Sequence, residues 1–580
     1  MKKHWVIALP ELVVRDRLAS QLGLPPALAQ VLVNRGYRGE AAAQRFLQPQ
    51  LRQLADPFDL PDMAPAVDRI RTALQQHERI VIYGDYDVDG VTSSALLVNV
   101  LRAAGAVVEN FLPNRLDEGY GLSAEGLARC CAEFRPQLLI AVDCGTSSAV
   151  EIAGLKAQGI DVIVLDHHEP PADLPACVAL VNPKCGAHRG SPGGAPSKTV
   201  AVEGASPGQP NPAPFASVGV AFKLAHALLK QDRQLACKID LRDQLDLVAL
   251  GTIADLVPLT GENRILVKAG LDRLSTTKKI GIRALMDIAG VTGPVTPAHV
   301  GFRLGPRLNA AGRLDDAMGA LELLLTDNPG RAAELAELLD RHNAERQRIE
   351  ERIVAEALAQ AHAQEQAGQS QVLVLANPDW HPGVIGIVAS RVVQQFYRPA
   401  VVIGSEGKGS CRSVAGFSIV GALAAAAELL VRYGGHEMAA GLSVLTENIP
   451  ALRQRLNESA GVVPGPVVRV DAVVQLAELT DVFFTSLEKF EPGGPDNPRP
   501  AFAVTGVRLS GTARVVGQKH LKFAVTDGTA TVAAIWWGQG TAQLPVGEFD
   551  VAFVPELNEY RGVVTVQLNV RDVREKSALF

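Results

Sequence analysis

The stretch "VIYGDYDVDGVTSSALL", residues 81 to 97, sets three carboxylates, Asp85, Asp87 and Asp89, at every second position behind an apolar run. Alternate residues of an extended chain share a face, so all three converge if the strand continues. The Gly-Val-Thr-Ser-Ser that follows bends the chain into a loop and a helix, which leaves two of the three expected at one spot. Carboxylates brought together without a partner are costly, or shift their pKa values, unless a cation neutralises them.

The pattern recurs along the chain. "IAVDCGTSS" ends in Asp143, "VIVLDHHEP" in Asp166, His167 and His168, and "LGTIADLVPL" delivers Asp255, each after an apolar stretch read as a strand. Caps and turns explain one such acid, but four strand ends that each supply an acid or an imidazole point to one site. Mixed carboxylate and imidazole donors suit Mn²⁺ or Mg²⁺, and surroundings poor in cysteine argue against softer metals. Two such ions about 3.5–4 Å apart activate water and stabilise the attacking and leaving oxygens of a phosphoryl transfer.

These residues need a scaffold. Between about 51 and 290, near-continuous apolar runs alternate with amphipathic stretches, the pattern of an α/β domain whose parallel sheet is covered on both faces. Ligands of such sheets bind beyond the carboxyl ends of the strands, where the acids stand. The α/β domain is assigned to residues 51–315, with a Gly-, Pro- and Ser-rich loop insertion at 184–214 and an N-terminal extension at 1–50. Residues 316–367 have the Ala, Leu, Glu and Arg content of a long helical connector, broken near Pro329 and Gly330. A smaller α/β domain follows at 368–462, and alternating strands in 463–580 suggest a C-terminal β-barrel of the OB-fold type.

Composition narrows the class. Of 580 residues, 47% are hydrophobic and 20% charged, which describes a globular chain, neither disordered nor fibrous. The net charge of -6 argues against a simple nucleic-acid coat protein but leaves room for a local basic groove. Seven cysteines without a C-x-x-C pair suggest neither a disulfide framework nor a zinc site, and a reducing cytoplasm is expected. The apolar run "IVGALAAAAELLV", interrupted by Glu428, is too short for a bilayer, so no membrane partner is expected. "GSEGKGS" lacks the spacing of a nucleotide-binding P-loop.

In order along the chain, "DYDVDG", "VDCG", "LDHHEP" and "GTIADLVPL" resemble the motifs of the DHH phosphoesterase superfamily. With "GPRLNAAGRL" and "GGHEMAAGL" they resemble its RecJ family of bacterial single-strand-specific exonucleases, from residue 51 onward. The resemblance implies that Asp87, Asp89, Asp143, His167 and Asp255 hold one or two Mn²⁺ or Mg²⁺ ions, with Asp85 a further ligand or an acid behind the ligands. Asp89 and His168 are the catalytic candidates, His168 lying beside the scissile phosphate to bind it or assist protonation. Arg115, Arg307, Asn309 and Arg313 are implied as phosphate or strand contacts, and Arg303 stands on the same arginine-bearing segment. Ser410, Arg412 and His436 are implied contacts of a DHHA1 domain, with Ser390 and Arg391 as lesser candidates.

In the barrel, Lys519, His520, Lys522, Trp536, Trp537, Tyr560 and Arg561 could line a groove for single strands. Trp536 and Trp537 point to opposite faces, so one belongs to the core and the other is open to a base. The implied activity is hydrolysis of single-stranded DNA from 5′ to 3′ into mononucleotides by a monomer, in recombination and repair, alongside a helicase and a single-strand-binding protein. Alternatives are a DHH phosphodiesterase of short oligonucleotides or cyclic dinucleotides, or a non-catalytic DNA-binding scaffold. Two departures stand out: the family's Glu-Pro-Phe-Gly-x-Gly-Asn-Pro reads "EPGGPDNP" here, and the 184–214 insertion exceeds the usual loop.

Overall fold

The structure, a computed structural model, describes residues 3–114, 121–185, 214–314 and 316–576. Arg115 lies outside the described residues, as does all of the expected 184–214 insertion except Lys184, Cys185 and Pro214. The described chain divides into two compact units. One is built mainly from residues 337–467, with 3–4 and 310–314; the other comprises the described residues of 5–309, 316–336 and 468–576.

The described chain opens with strand β1 (His4–Ile7), followed in the larger unit by helices α1 (Leu12–Leu22), α2 (Pro26–Asn34) and α3 (Glu40–Leu47). Expected as an extension, these helices instead share one apolar core with the C-terminal barrel. Leu18, Leu28, Leu32 and Phe46 pack in a cluster with Phe483, Phe502, Val551 and Phe553. Helix α4 (Met63–Gln76) leads into a five-stranded sheet of β2 (Arg79–Gly84), β3 (Val107–Phe111), β4 (Leu138–Val142), β5 (Asp161–Leu165) and β6 (Ala179–Val181). The order is β3-β2-β4-β5-β6 and every pairing is parallel.

One face of this sheet, including Val81, Tyr83, Leu139, Ala141 and Val164, packs on Leu127 and Cys130 of α6 (Ala124–Phe134) and on Ile152 and Leu155 of α7 (Ala149–Ala157). On β2 also lies α5 (Val88–Ala103), which in turn carries α8 (Ser217–Gln231). Burial on both faces is why the strands read as unbroken apolar runs. Beyond a short α9 (Arg233–Lys238), the run "LVALGTIAD", expected as a strand, is instead helix α10 (Leu245–Ala254). Every residue from Leu245 to Ile253 is buried, so the helix has no polar face and shows no helical period in the sequence. Helix α11 (Gly261–Ser275) packs against it.

Where a connector was expected, helices Met318–Leu325 and Pro329–Gln366 occur, with Pro329 opening the second. The 337–467 unit has a mixed sheet of β7 (Leu373–Ala376), β8 (Ala400–Ile403), β9 (Lys408–Arg412), β10 (Leu430–Gly435) and β11 (Ala439–Val444), ordered β10-β11-β9-β8-β7. Ile353, Ala357 and Ala361 of the long helix share a core with Leu373, Val402 and helix Ile385–Phe396. Leu423, Leu452 and Leu456 belong to a second core with Val374 and Val401.

After β12 (Val467–Val470) and β13 (Ala472–Val473), strands β14 (Phe502–Leu509), β15 (Arg514–Val516), β16 (His520–Thr526), β17 (Thr531–Trp536), β18 (Phe549–Tyr560) and β19 (Val563–Glu575) complete the chain. The ring β14-β18-β19-β17-β16 closes through an antiparallel β14–β16 pairing, while β17 and β19 run parallel. A closed five-stranded barrel of this kind is the OB-fold architecture.

Candidate metal centre

Asp85, Asp143 and Asp166 stand immediately beyond the carboxyl ends of three adjacent parallel strands, β2, β4 and β5. Their backbone N–H groups extend the ladder, donating to Val142 (3.2 Å), Leu165 (3.0 Å) and Val181 (3.2 Å). Asp87 is the N-cap of α5, its Oδ1 accepting from the N–H groups of Asp89 (2.8 Å) and Gly90 (3.2 Å). The turn is tight enough that a Cβ on Gly90 would sit 2.4 Å from the Asp85 carbonyl oxygen, so only glycine fits after Asp89. Asp89, buried in the first turn of α5, accepts from the backbone N–H of Ser217 on Oδ2 (2.6 Å) and of Val218 on Oδ1 (2.9 Å). These open α8, whose N-terminus favours an anion. The Ser217 hydroxyl donates to Asp143 Oδ1 at 3.0 Å.

Asp143 adopts a left-handed backbone (φ 62°), and so does Leu256 (φ 60°), the residue after Asp255. Such a conformation costs a side-chain-bearing residue about 1–2 kcal/mol, and it occurs where the surroundings dictate it. At the centre stands His167, whose Nε2 lies 3.3 Å from Asp143 Oδ1, 3.5 Å from Asp255 Oδ2 and 3.9 Å from Asp89 Oδ2. His167 Nε2 and Asp255 Oδ2 are buried without a hydrogen-bond partner among the described residues. Buried polar atoms are nearly always satisfied, so two such atoms facing each other amid carboxylates fit a cation between them.

Donor atoms converge within 4.8 Å in three overlapping trios: Asp85, Asp87 and Asp143; Asp89, His167 and Asp255; Asp143, His167 and His168. Oxygen and imidazole donors of this kind fit a hard divalent ion. Of the three acids of "DYDVDG", Asp85 and Asp87 share one trio with Asp143, and Asp89 belongs to the trio with His167 and Asp255.

Electrostatics point the same way. Burial, and then the charge of Asp87, pushes the Asp89 carboxyl up to about 7. Burial and the neighbouring acids raise Asp143 well above the carboxylate range and Asp255 to about 9. Burial, reinforced by His168, lowers His167 to about 4, so this imidazole is a neutral donor. His168 behaves oppositely: burial alone would lower it, but the hydrogen bond and charge of Asp166 outweigh burial and raise it. Its Nδ1 lies 2.6 Å from Asp166 Oδ1. That oxygen also accepts from the N–H of His167 at 2.7 Å, and Thr146 N–H donates to Oδ2 at 3.0 Å. Burial tends to raise Asp166 as well, yet these bonds hold it well below the carboxylate range.

Of the substrate candidates, Asn309 lies beside this cluster, its Oδ1 accepting from Val88 N–H at 3.2 Å. Arg307 donates from Nη1 to the Arg303 carbonyl at 2.7 Å, and Arg303 to that of Gly290 at 2.8 Å. Within the 337–467 unit, Arg313 donates to the Gly383 carbonyl at 3.0 Å and Arg412 to Ser410 Oγ at 3.2 Å. Both meet the turn leading into helix Ile385–Phe396, since a Cβ on Gly386 would lie 3.1 Å from Ser410 Oγ and 3.4 Å from Arg412 Nη2. His436 is exposed between β10 and β11. Ser390 bonds to the Gly386 carbonyl and Arg391 to Glu350 Oε1, which gives both structural duties.

In the barrel, Trp536 packs against the core, whereas Trp537 is half-exposed with its ring 4.6 Å from that of His520. Lys519 and Arg561 are exposed and Lys522 partly so; the Tyr560 side chain lies outside the described residues. Ser217 and Thr146 were not singled out from sequence. Ser217 acts largely through its backbone N–H, which no residue type announces; a serine opening a helical run was the available signal.

Comparison with known proteins agrees with this architecture. Residues 79–252 match the DHH family, N-terminal domain, residues 369–461 the DHHA1 domain, and residues 470–572 the RecJ OB domain. The chain is 36% identical to the single-stranded-DNA-specific exonuclease RecJ of Bacillus subtilis, over 98% of this chain and 71% of that protein. It is 35% identical to the Escherichia coli protein of the same name, over 95% of this chain and 96% of the other. The crystal structure of Thermus thermophilus RecJ in complex with Mn²⁺ matches with a TM-score of 0.84 at 34% identity, covering 99% of this chain and 80% of that one. The same protein in complex with Mg²⁺ matches with a TM-score of 0.75 at 32% identity, covering 99% and 79%. With 35–36% identity running nearly end to end and the DHH, DHHA1 and OB segments in register, the chain belongs to the RecJ family.

Proposed function

We propose that this chain is a metal-dependent exonuclease that degrades single-stranded DNA from the 5′ end to mononucleotides, in recombination and repair. The observation that carries the reading is the convergence of Asp89, Asp143 and Asp255 on a buried His167 Nε2 beyond the carboxyl end of a parallel sheet, with Asp85 and Asp87 beside Asp143. Asp87, Asp89, Asp143, His167 and Asp255 hold one or two Mn²⁺ or Mg²⁺ ions, with Asp85 completing the set. Bound there, the ions supply Lewis acidity for phosphodiester hydrolysis.

The remaining steps belong to side chains. Asp166 fixes the His168 ring through Nδ1, so that Nε2 is the atom assigned to bind the scissile phosphate or donate a proton to it. The Asp166 hydrogen bond and charge, which raise His168 and so favour its protonated form, suit that duty. Arg115, Arg307, Asn309 and Arg313 contact the strand, and Ser410, Arg412 and His436 hold its end. Arginine suits this work because its planar fork matches phosphate oxygens. The exposed Trp537 ring with Lys519 and Lys522 nearby in the chain supports a stacking track on the barrel.

The reading places the chain in the cytoplasm as a monomer that works with a helicase and a single-strand-binding protein. Seven cysteines without a C-x-x-C pair suit a reducing compartment. Among the described residues no helix is long and apolar enough to cross a membrane. The test is one single-stranded oligonucleotide labelled at either end and incubated with Mn²⁺. A 5′ label released at once as mononucleotide, with the 3′-labelled strand shortening gradually, supports the reading; the reverse order overturns its polarity, and an intact strand overturns the activity.

A further inference from the structure

The segment "EPGGPDNP" departs from the family pattern, yet it is held on several sides. Arg264 on α11 is buried, and all five of its N–H donors meet backbone carbonyls. Nε donates to Phe46 (3.0 Å), Nη1 to Phe490 (3.0 Å) and Pro492 (3.1 Å), and Nη2 to Lys489 (2.8 Å) and Glu491 (2.9 Å). Buried Asn497 closes the loop on itself, Nδ2 donating to Phe490 (3.2 Å) and Pro492 (2.7 Å) while Oδ1 accepts from Arg35. Asp496 takes a left-handed backbone (φ 54°) where the family pattern has glycine, a conformation aspartate tolerates better than most residues.

What this strap touches is the turn after Asp255. The N–H of Leu259 donates to the Pro495 carbonyl at 2.9 Å. Gly494 lies against the same residue: a Cβ there would stand 2.6 Å from Leu259 Cδ1 and 2.9 Å from Cγ. On the other side Asn263 Nδ2 donates to the Pro258 carbonyl at 2.9 Å. Between these anchors and Asp255 stands left-handed Leu256, a conformation that persists where its surroundings over-determine it.

We infer that residues 488–498 are a positioning element for Asp255, which they hold through Leu259 and the Arg264 cage. This rests on the reading that Asp255 holds a metal ion. The strap lies inside the segment that matches the RecJ OB domain. The OB segment therefore does more than guide a strand: it also sets the geometry of the metal centre.

The test measures Mn²⁺ binding by calorimetry on the full chain without DNA, with circular dichroism and thermal unfolding alongside. Gly494→Ala pushes on Leu259 and is expected to weaken Mn²⁺ binding at least tenfold, the usual effect of disturbing a ligand's support, with unchanged secondary structure. Asn497→Ser, a milder loosening of the loop, weakens it severalfold and decides the matter by the same criteria if the first variant does not fold. In an Asp255→Asn background neither change weakens binding further. If the strap variants lose thermal stability yet bind Mn²⁺ as tightly as the parent, or lose as much affinity without Asp255 as with it, the strap is only structural. A parent chain that binds no Mn²⁺ overturns the metal reading itself, and this inference with it.

Discussion

Asp166 and His168 show how one carboxylate assigns opposite duties to adjacent imidazoles. Asp166 accepts from the His168 ring and from the His167 backbone N–H on one oxygen, so protonation of His168 is favoured while His167 is left neutral toward the acids. Replacing Asp166 with Asn removes the charge that raises His168, so its pKa falls and the protonated form is lost at lower pH. The expected result is a kcat reduced by about 10–100-fold, the usual cost of removing such a partner, with the alkaline limb of the pH–rate profile moved to lower pH. An unmoved limb means His168 does not act as the cation. At this scale the acids and imidazoles were legible in the sequence, because few other uses explain so many at strand ends. The division of labour was not, since it depends on which nitrogen meets which oxygen.

The first turn of α5 carries two burdens on one residue. Asp87 caps the helix and also joins a donor trio, and the two roles separate by chemistry because serine caps well but offers no carboxylate. Asp87→Ser should therefore unfold within about 0.5 kcal/mol of the parent, and Asp87→Ala about 1 kcal/mol below it, while both lose most hydrolysis; urea unfolding beside a nuclease assay checks this. Equal losses of stability in the two variants would show that the cap is not what Asp87 contributes. The sheet itself was readable, since strands buried on both faces must be continuously apolar. Helix α10 was not, for the same reason: a helix surrounded by protein has no face to leave polar. Trp537 and Trp536 were separable in principle by alternation, but only the barrel's closure tells which face is inside.

Across the whole molecule, the N-terminal helices and the barrel share one apolar cluster although more than 400 positions separate Phe46 from Phe483 and Phe502. Composition alone cannot announce such long-range pairing, which is why residues 1–50 read as an appendage. The central claim is that the buried acids hold the ions that drive hydrolysis, and a Mn²⁺ titration of chelator-stripped protein on single-stranded DNA addresses it most directly. Bound metal and rate are read in the same samples, for the parent and for Asp89→Asn. The account predicts no hydrolysis in chelator, a rate that rises in proportion to bound Mn²⁺, and an Asp89→Asn chain that stays folded with both diminished together. Hydrolysis that persists in chelator, or an Asp89→Asn variant that cuts at the parent's rate, would contradict it.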